Sequence, residues 1–565
     1  LGIGRTPCRP FPLPLCLEPI PQRKQLNQLT MDAIFKSSKG QTVYIIVTLV
    51  IIFTLNATSI PRKSLTHDEP AHFEYGLKVM LGDSNRFDDS KMPFSVFNAL
   101  AAAHDLDVDA PFLNMKFENL QRARLVTSFF SLLLALLIYH WARRLYGVYA
   151  AMLSVLTYAF APNVLAHSRL VTSDLYAALM TTVTLYTFWR FMKEGGWKWA
   201  TAAAASLGAA QVAKYPCVLL CPILLLILLI RFGPHLKKAF HDRDRGKLKG
   251  YSKRFLVFVC QFVVVGLVVI NIGFLFNRSF TRLRDYEFKS EFFQSLQQSG
   301  LGRLPVPVPY PYLEGLDWVR DIERRGGTSG NLYLLGERRQ NQNFPSYYFV
   351  AFLFKVPLGL QALLLFSVLL FFKNKKNLKT DSDEIFLVVP FAFFFIYLSF
   401  FYRTQVGIRH LLIVFPLLFI FIGKAARDWE MQSNKLRTSV AGLVLYQIVS
   451  VLSYHPHYIP YFNELVWNRS NSYRILADSN LDWGQDKILL KEYLEKNPEA
   501  LHNPERPTAG RIVIRANLLC GVFDPEKYAW LRDNFEPVDN IAYSYLIFDI
   551  KPERLEELGL AHAND

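Results

Sequence analysis

The chain has 565 residues, of which 51% are hydrophobic, 15% aromatic and only 19% charged, with a formal net charge of +16 and a mean hydropathy of +0.16. Its wealth of Phe and Tyr excludes a disordered polymer, and its length excludes one small globular domain. A nucleic-acid binder would suit the charge but not so apolar a chain; hydrophobic and basic together point to an integral membrane protein with its cations collected on one side.

Residues 1–30 are proline-rich and lack a helical pattern, and the first methionine is Met31. This stretch reads as a leader upstream of the native start, or a disordered tail, outside the fold. A bilayer core takes about 20 apolar residues per helix. Apolar runs at 42–60, 124–142, 148–166, 171–191, 199–213, 216–232, 255–276, 347–372, 384–401, 406–423 and 438–454 therefore predict about eleven spans. The fifth is short and Ala-rich, suited to close packing inside a bundle. With the N-terminus in the cytoplasm, Arg143, Arg144, Arg190, Lys193 and Lys198 fall inside. So do the basic segments 231–254, 373–379 and 424–437. The opposite short connections hold only Arg169, Lys214 and Arg403, so the bias orients the chain N-in and C-out. Three long outer segments follow, 61–123, 277–346 and 455–565. They read as lids and packing, or as a catalytic face outside the cytoplasm.

The first outer segment opens with His67-Asp68-Glu69-Pro70-Ala71-His72, two carboxylates and two imidazoles straight after a span. Incomplete solvation there predicts a raised carboxyl pKa and suits a general base; a solvated helix end is the plainer reading. The next outer connection carries His167, Arg169 and Asp174. A carboxylate at the start of an apolar helix should have a partner or a function, and Arg169 is the expected ion-pair partner. Lys214-Tyr215-Pro216 places a cation at the boundary, either snorkelling or anchoring phosphate. Tyr402-Arg403 and Gly407-Ile408-Arg409-His410 add two guanidiniums suited to bidentate phosphate binding. Carboxylates beside cations at the lipid boundary fit sugar transfer from a lipid-linked phosphate: a carboxylate takes the acceptor's proton while cations hold the departing phosphate.

The six cysteines include no CxxC pair, and Cys217 and Cys221 read as small apolar residues of one helix. After Tyr454 the chain turns polar. Strands at 473–478, 511–517 and 540–550 and helices at 484–496 and 525–534 predict a small α/β unit with a parallel sheet. Asp478, Asn480 and Asp482 mimic the start of a calcium loop, but Trp483 and Leu489 occupy the positions that require Gly and Glu, so calcium is rejected. The Asp478–Asp486 run is either a helix-cap cluster or a contact for acceptor or lid.

Asp68-Glu69-Pro70-Ala71-His72, the His167 to Asp174 segment, Lys214-Tyr215-Pro216, Phe344-Pro345 to Pro357, Gly407-Ile408-Arg409-His410-Leu411-Leu412 and Asp478-Ser479-Asn480-Leu481-Asp482-Trp483-Gly484-Gln485-Asp486 together carry a resemblance. The chain resembles the GT-C superfamily of glycosyltransferases that use polyprenyl-phosphate-linked sugars, akin to protein O-mannosyltransferases and aminoarabinose transferases. The resemblance implies a polytopic α-helical membrane protein with a transmembrane catalytic domain over 31–454, juxtamembrane helices in 61–123, lid loops in 277–346 and an extracytoplasmic α/β domain over 455–565. It implies a hexosyl- or pentosyltransferase in a bacterial inner membrane, with its active site outside the cytoplasm.

By the resemblance, Asp68 is the base, Glu69 orients base or acceptor, and Asp174 is a second active-site acid. Lys214 and Arg409 hold the donor phosphate. His72, His167, Arg169, Tyr215, Arg403, His410, Asp478, Asp482 and Asp486 complete the substrate-binding set. Met92-Pro93-Phe94 departs from the Pro-Pro-Leu common in relatives. No cofactor is expected, and without an Asp-x-Asp pair beside Asp68 the reading leans away from a metal while leaving a divalent ion open. Expected partners are the polyprenyl-phosphate sugar, the bilayer, and an envelope glycan, lipid or protein acceptor, with no nucleic acid. The alternatives are a transporter or flippase for a lipid-linked or anionic substrate, and a non-catalytic envelope scaffold. A transporter should place charges near the midplane on broken helices, whereas these gather at one face.

Overall fold

The computed structural model describes residues 37–85, 91–102, 117–242, 245–327, 331–373 and 382–560. The leader expected at 1–30, and all of the basic segment 373–379 but its first residue, lie outside the described residues. Among the described residues, those up to 46 fall in one unit and those from 47 on in another.

The helices in chain order are α1 (Ser38–Ser59), α2 (Glu69–Met80), α3 (Val96–Ala102), α4 (Phe117–Tyr146), α5 (Val148–Ala159), α6 (Pro162–His167), α7 (Asp174–Glu194), α8 (Trp197–Ala213), α9 (Leu220–His241) and α10 (Arg245–Gly273). Two amphipathic helices, α11 (Glu291–Gln298) and α12 (Tyr310–Arg325), and a hairpin of β1 (Leu332–Leu334) and β2 (Glu337–Arg339) precede α13 (Tyr347–Lys355). Then come α14 (Leu358–Lys373), α15 (Ile385–Ile396), α16 (Phe415–Ile422) and α17 (Asn434–Leu452). Among the described residues six helices are long and apolar enough to cross a membrane, or seven if the bent pair α13–α14 is one span. The protein is a polytopic α-helical membrane protein.

The expected eleven spans differ from this in instructive ways. The run 148–166 breaks because Ala161, preceding Pro162, is extended, and α6 starts anew. The run 347–372 bends by 113° at Val356-Pro357, again with an extended residue before proline. The run 384–401 yields α15 plus one wide turn, Tyr397–Phe401. α7 is long enough but buries most of its length, including Thr181, Thr182, Thr184 and Thr187. A helix inside the bundle faces no lipid and need not be uniformly apolar. α8 lies so close to α10 that a Cβ at Gly208 would stand 2.8 Å from the Gly266 carbonyl oxygen, which small residues permit.

The C-terminal segment holds α18 (Lys487–Lys496), β3 (Leu501–His502), β4 (Gly510–Arg515), α19 (Ala516–Leu519), α20 (Ala529–Asn534), β5 (Asp539–Ile541), β6 (Tyr545–Ile550) and α21 (Pro552–Glu557). Its sheet runs β3-β4-β6-β5, and only the β3–β4 pairing is parallel. The expected parallel sheet is therefore corrected. Ala542 and Tyr543 take positive φ, +52° and +63°, which folds 540–550 into a hairpin, and so short a connection allows only antiparallel pairing. The strand expected at 473–478 is reduced to one bridge, Leu476 to Leu334, between short 3-10 turns. An aromatic cluster of Tyr454, Tyr458, Tyr461 and Trp483 packs this segment on Leu165, Ala166 and Leu170 of the second outer connection.

Candidate active site

Three connections between helices and the 3-10 turn Ile408–Val414 bring their charges together. Asp68 occupies the N-cap of α2, whose first turn carries Pro70, as suits a ring with no N–H to donate. The Asp68 side chain makes no cap bond; its Oδ2 instead accepts Arg409 Nη1 at 2.8 Å. Asp174 opens α7, where a helix N-terminus favours negative charge. Lys214 ends α8 in extended conformation and ion-pairs with Asp174. Arg409 Nη1 also lies 4.0 Å from Asp174 Oδ2, and His167 Nδ1 lies 3.8 Å from the same oxygen. Asp68, Arg409, Asp174 and Lys214 thus form one chain of alternating charge.

A cavity of about 380 Å³ opens on this chain. Asp174, Lys214, Arg409, His410 and Tyr402 form part of its polar lining. Leu219, Leu316, Val319, Phe394, Leu398 and Ile413 supply apolar wall. Leu316 and Val319 come from α12, which covers one side together with Phe292 and Phe293 of α11. Arg409 Nε and His410 Nε2 are buried and make no hydrogen bond within the protein. Buried nitrogens rarely stay unpaired, and such atoms at a cavity suit an anion or polar ligand.

The expected rise in the Asp68 pKa is corrected. Burial pushes the carboxyl up, but Arg409 beside it outweighs burial and holds it below its ordinary value. Burial pushes both His72 and His167 down to about 4, so both imidazoles are neutral near pH 7. Asp478 behaves oppositely. Burial lifts its carboxyl to about 6, against the pull of Arg409, with Asp68 adding repulsion. Its Oδ1 accepts the Ser479 amide at 2.6 Å, and its backbone has φ +58°.

Other expected residues sit elsewhere. Glu69 is fully buried; its oxygens accept from Arg124 Nε (2.8 Å) and Nη2 (2.5 Å), the Thr66 amide (2.9 Å) and the Val171 amide (3.0 Å). It therefore locks the first outer segment to α4 and to the second connection instead of facing the cavity. Arg169 does not pair with Asp174. It donates to the Ser59 carbonyl at 3.0 Å and lies over the Tyr458 ring, because Lys214 and Arg409 already surround Asp174. Arg403 donates to the Arg324 carbonyl at 3.2 Å and is absent from the cavity wall. Tyr215 lines the cavity and donates to the Pro311 carbonyl, supporting α12. His72 meets Ser95 Oγ at 3.4 Å. Asp482 accepts two bonds from Arg515, at 2.9 and 3.1 Å. Asp486 is buried between Lys63, His457 and Ser544. These last two carboxylates tie elements together and are not presented to the cavity.

Three residues escaped the sequence reading, and a fourth, Trp483, was read there only as part of a motif. Lys63 caps the turn after α1 and Arg124 lies two turns inside α4 at the start of its apolar run, where cations pass for topology markers. Lys355 was visible as a lone cation inside an apolar run; it donates to the Ile459 and Asn480 carbonyls at 2.7 and 2.6 Å. Trp483 lies over the Arg409 guanidinium, 4.1 Å from ring centroid to carbon. Among the described residues no three His, Cys, Asp or Glu side chains converge to hold a metal ion.

Residues 112–241, which carry Asp174 and Lys214, match the family model of dolichyl-phosphate-mannose-protein mannosyltransferases. No curated protein matches the chain. Among solved structures it is similar to ArnT from Cupriavidus metallidurans bound to undecaprenyl phosphate, at 12% identity and TM-score 0.45, covering 91% of this chain and 98% of that one. It is also similar to the apo oligosaccharyltransferase of Archaeoglobus fulgidus, at 14% identity and TM-score 0.46, covering 73% and 55%. Archaeal AglB from the same organism, in complex with an inhibitory peptide and a dolichol-phosphate, matches at 13% identity and TM-score 0.43, again covering 73% and 55%.

Proposed function

We propose that the protein is an integral-membrane glycosyltransferase of GT-C type that moves a hexose or pentose from a polyprenyl-phosphate carrier to an extracytoplasmic glycolipid, polysaccharide or protein, in a bacterial inner membrane. One observation carries the reading: Lys214 and Arg409 stand at the polar end of an apolar-walled cavity, directly beside Asp174 and Asp68. The apolar wall suits a prenyl chain, and the two cations suit its phosphate. The family match over the segment that holds Asp174 and Lys214 supports it.

In this mechanism the acceptor hydroxyl attacks the anomeric carbon while the bond from that carbon to the phosphate oxygen breaks. The hydroxyl proton passes to Asp68. The departing polyprenyl phosphate keeps the electron pair, and Lys214 and Arg409 hold its charge. Arg409 is what makes Asp68 a weak base while the two are paired. A phosphate that draws Arg409 away raises the basicity of Asp68 when the donor is seated. Asp174 keeps Lys214 and Arg409 in place.

The test compares envelope glycans and glycolipids by mass spectrometry. Deleting the gene is expected to remove one sugar modification, which the parent gene restores. Asp68→Asn, at matched expression, is expected to lose transfer by about a hundred- to ten-thousandfold. Full restoration by that variant would remove Asp68 as the base.

A further inference from the structure

The turn that follows Asp478 delivers one aromatic ring to the charge chain. Trp483 is 5% exposed. Its ring centroid lies 4.1 Å from the Arg409 guanidinium carbon and 5.8 Å from the centroid of the His167 ring. Its carbonyl accepts the amide of His67 at 3.0 Å, the residue before Asp68. One residue therefore lies against Arg409 by its ring and, by its backbone, holds the residue next to Asp68.

Trp483 is itself held firmly. Its amide donates to Gln485 Oε1 at 2.7 Å. Gly484, at φ +86°, donates its amide to Asp482 Oδ1 at 3.0 Å. Asp482 is fixed by Arg515. A guanidinium lying against an aromatic face keeps its N–H edge free for in-plane hydrogen bonds, which an oxyanion can take. On Arg409 that edge includes Nε, which has no partner within the protein.

We propose that Trp483 is a positioning residue of the carrier-phosphate site, its ring setting the plane in which Arg409 meets the phosphate. The C-terminal segment is then a structural part of that site. The proposal rests on the reading of Arg409 as a phosphate ligand.

The test titrates undecaprenyl phosphate against the full chain in nanodiscs, which needs neither sugar nor acceptor. Arg409→Gln is expected to weaken binding about tenfold or more, the loss of a charge-assisted bond. Trp483→Leu is expected to weaken it about tenfold, and Trp483→Phe, which keeps a ring, about two- to threefold. In the Arg409→Gln background neither change at Trp483 should weaken binding further, because the ring acts through that guanidinium. If Trp483→Leu does not fold, the Trp483→Phe pair of measurements decides alone. Parent-like binding by Trp483→Leu, or losses that multiply in the double variant, would overturn the role of Trp483 while leaving Arg409 intact. Parent-like binding by Arg409→Gln would instead bring down the phosphate reading, and this inference with it.

Discussion

At Asp68, Asp174 and Asp478, three carboxylates of one residue type meet three different fates, and the difference lies in their partners. Asp68 is tied to Arg409 and Asp174 to Lys214, whereas Asp478 accepts only a neighbouring amide. The unpaired one is lifted by burial to about 6 from 3.8. A carboxyl whose folded value is raised costs the folded state nothing below the unfolded value; the cost grows between the two values and is complete above about 6. Asp478→Asn should therefore melt at a higher temperature than the parent at pH 8, with the gap closing as the pH falls toward 4. Thermal unfolding in detergent across that range measures it, and a gap independent of pH would contradict the assignment. The residue types of Asp68, Asp174, Lys214 and Arg409 were legible in the sequence because charges at outer helix ends are few. Their pairing was not. Sequence proximity favoured Arg169 for Asp174, yet the next connection supplied Lys214, since packing sets which helix ends are neighbours.

Single elements show the same division. Apolar runs marked where helices lie, but prolines at 162 and 357 cut or bent two of them, and the buried α7 escapes a hydropathy test that assumes lipid contact. The least legible link joins the first outer segment to α4. Arg124 and Glu69 are both buried, and the guanidinium also donates to the Lys63 and Ser64 carbonyls at 2.8 and 2.7 Å. Nothing in the spacing of 69 and 124 announces this. Breaking a buried pair leaves one charge uncompensated, at a cost of about 3–5 kcal/mol. Glu69→Gln should thus lower the melting temperature sharply and reduce the folded yield, even though its side chain does not face the cavity. A stable Glu69→Gln protein that loses only transfer would show instead that Glu69 acts on substrate.

Across the whole molecule the excess of positive charge is expected to mark one side of the membrane. The segments 231–254 and 424–437 carry thirteen Lys and Arg residues against four acids, and the proposed orientation puts the cations of the site on the other side. In a chain whose native cysteines have been replaced, Lys491→Cys should label with a membrane-impermeant maleimide in intact cells. Lys238→Cys should label only after permeabilisation. The reverse pattern would invert the orientation and move the site to the cytoplasm. The C-terminal segment was legible as α/β from its composition, but its strand order was not, because a tight turn at Ala542-Tyr543 reverses the chain where a single strand was expected.

The tie between Lys63 and Asp486 spans 423 residues of sequence, and that between Asp68 and Arg409 spans 341. Contacts so remote cannot form until their second partner has left the ribosome, and they come late in any folding sequence. When α17 has just been made, Lys63 still lacks its counter-charge and Arg409 its aromatic ring. Segment 455–565 therefore sets when the centre is finished: Arg409 meets its aromatic ring only once synthesis has passed residue 483, and a chain stopped short of that point holds the charges of the site without it.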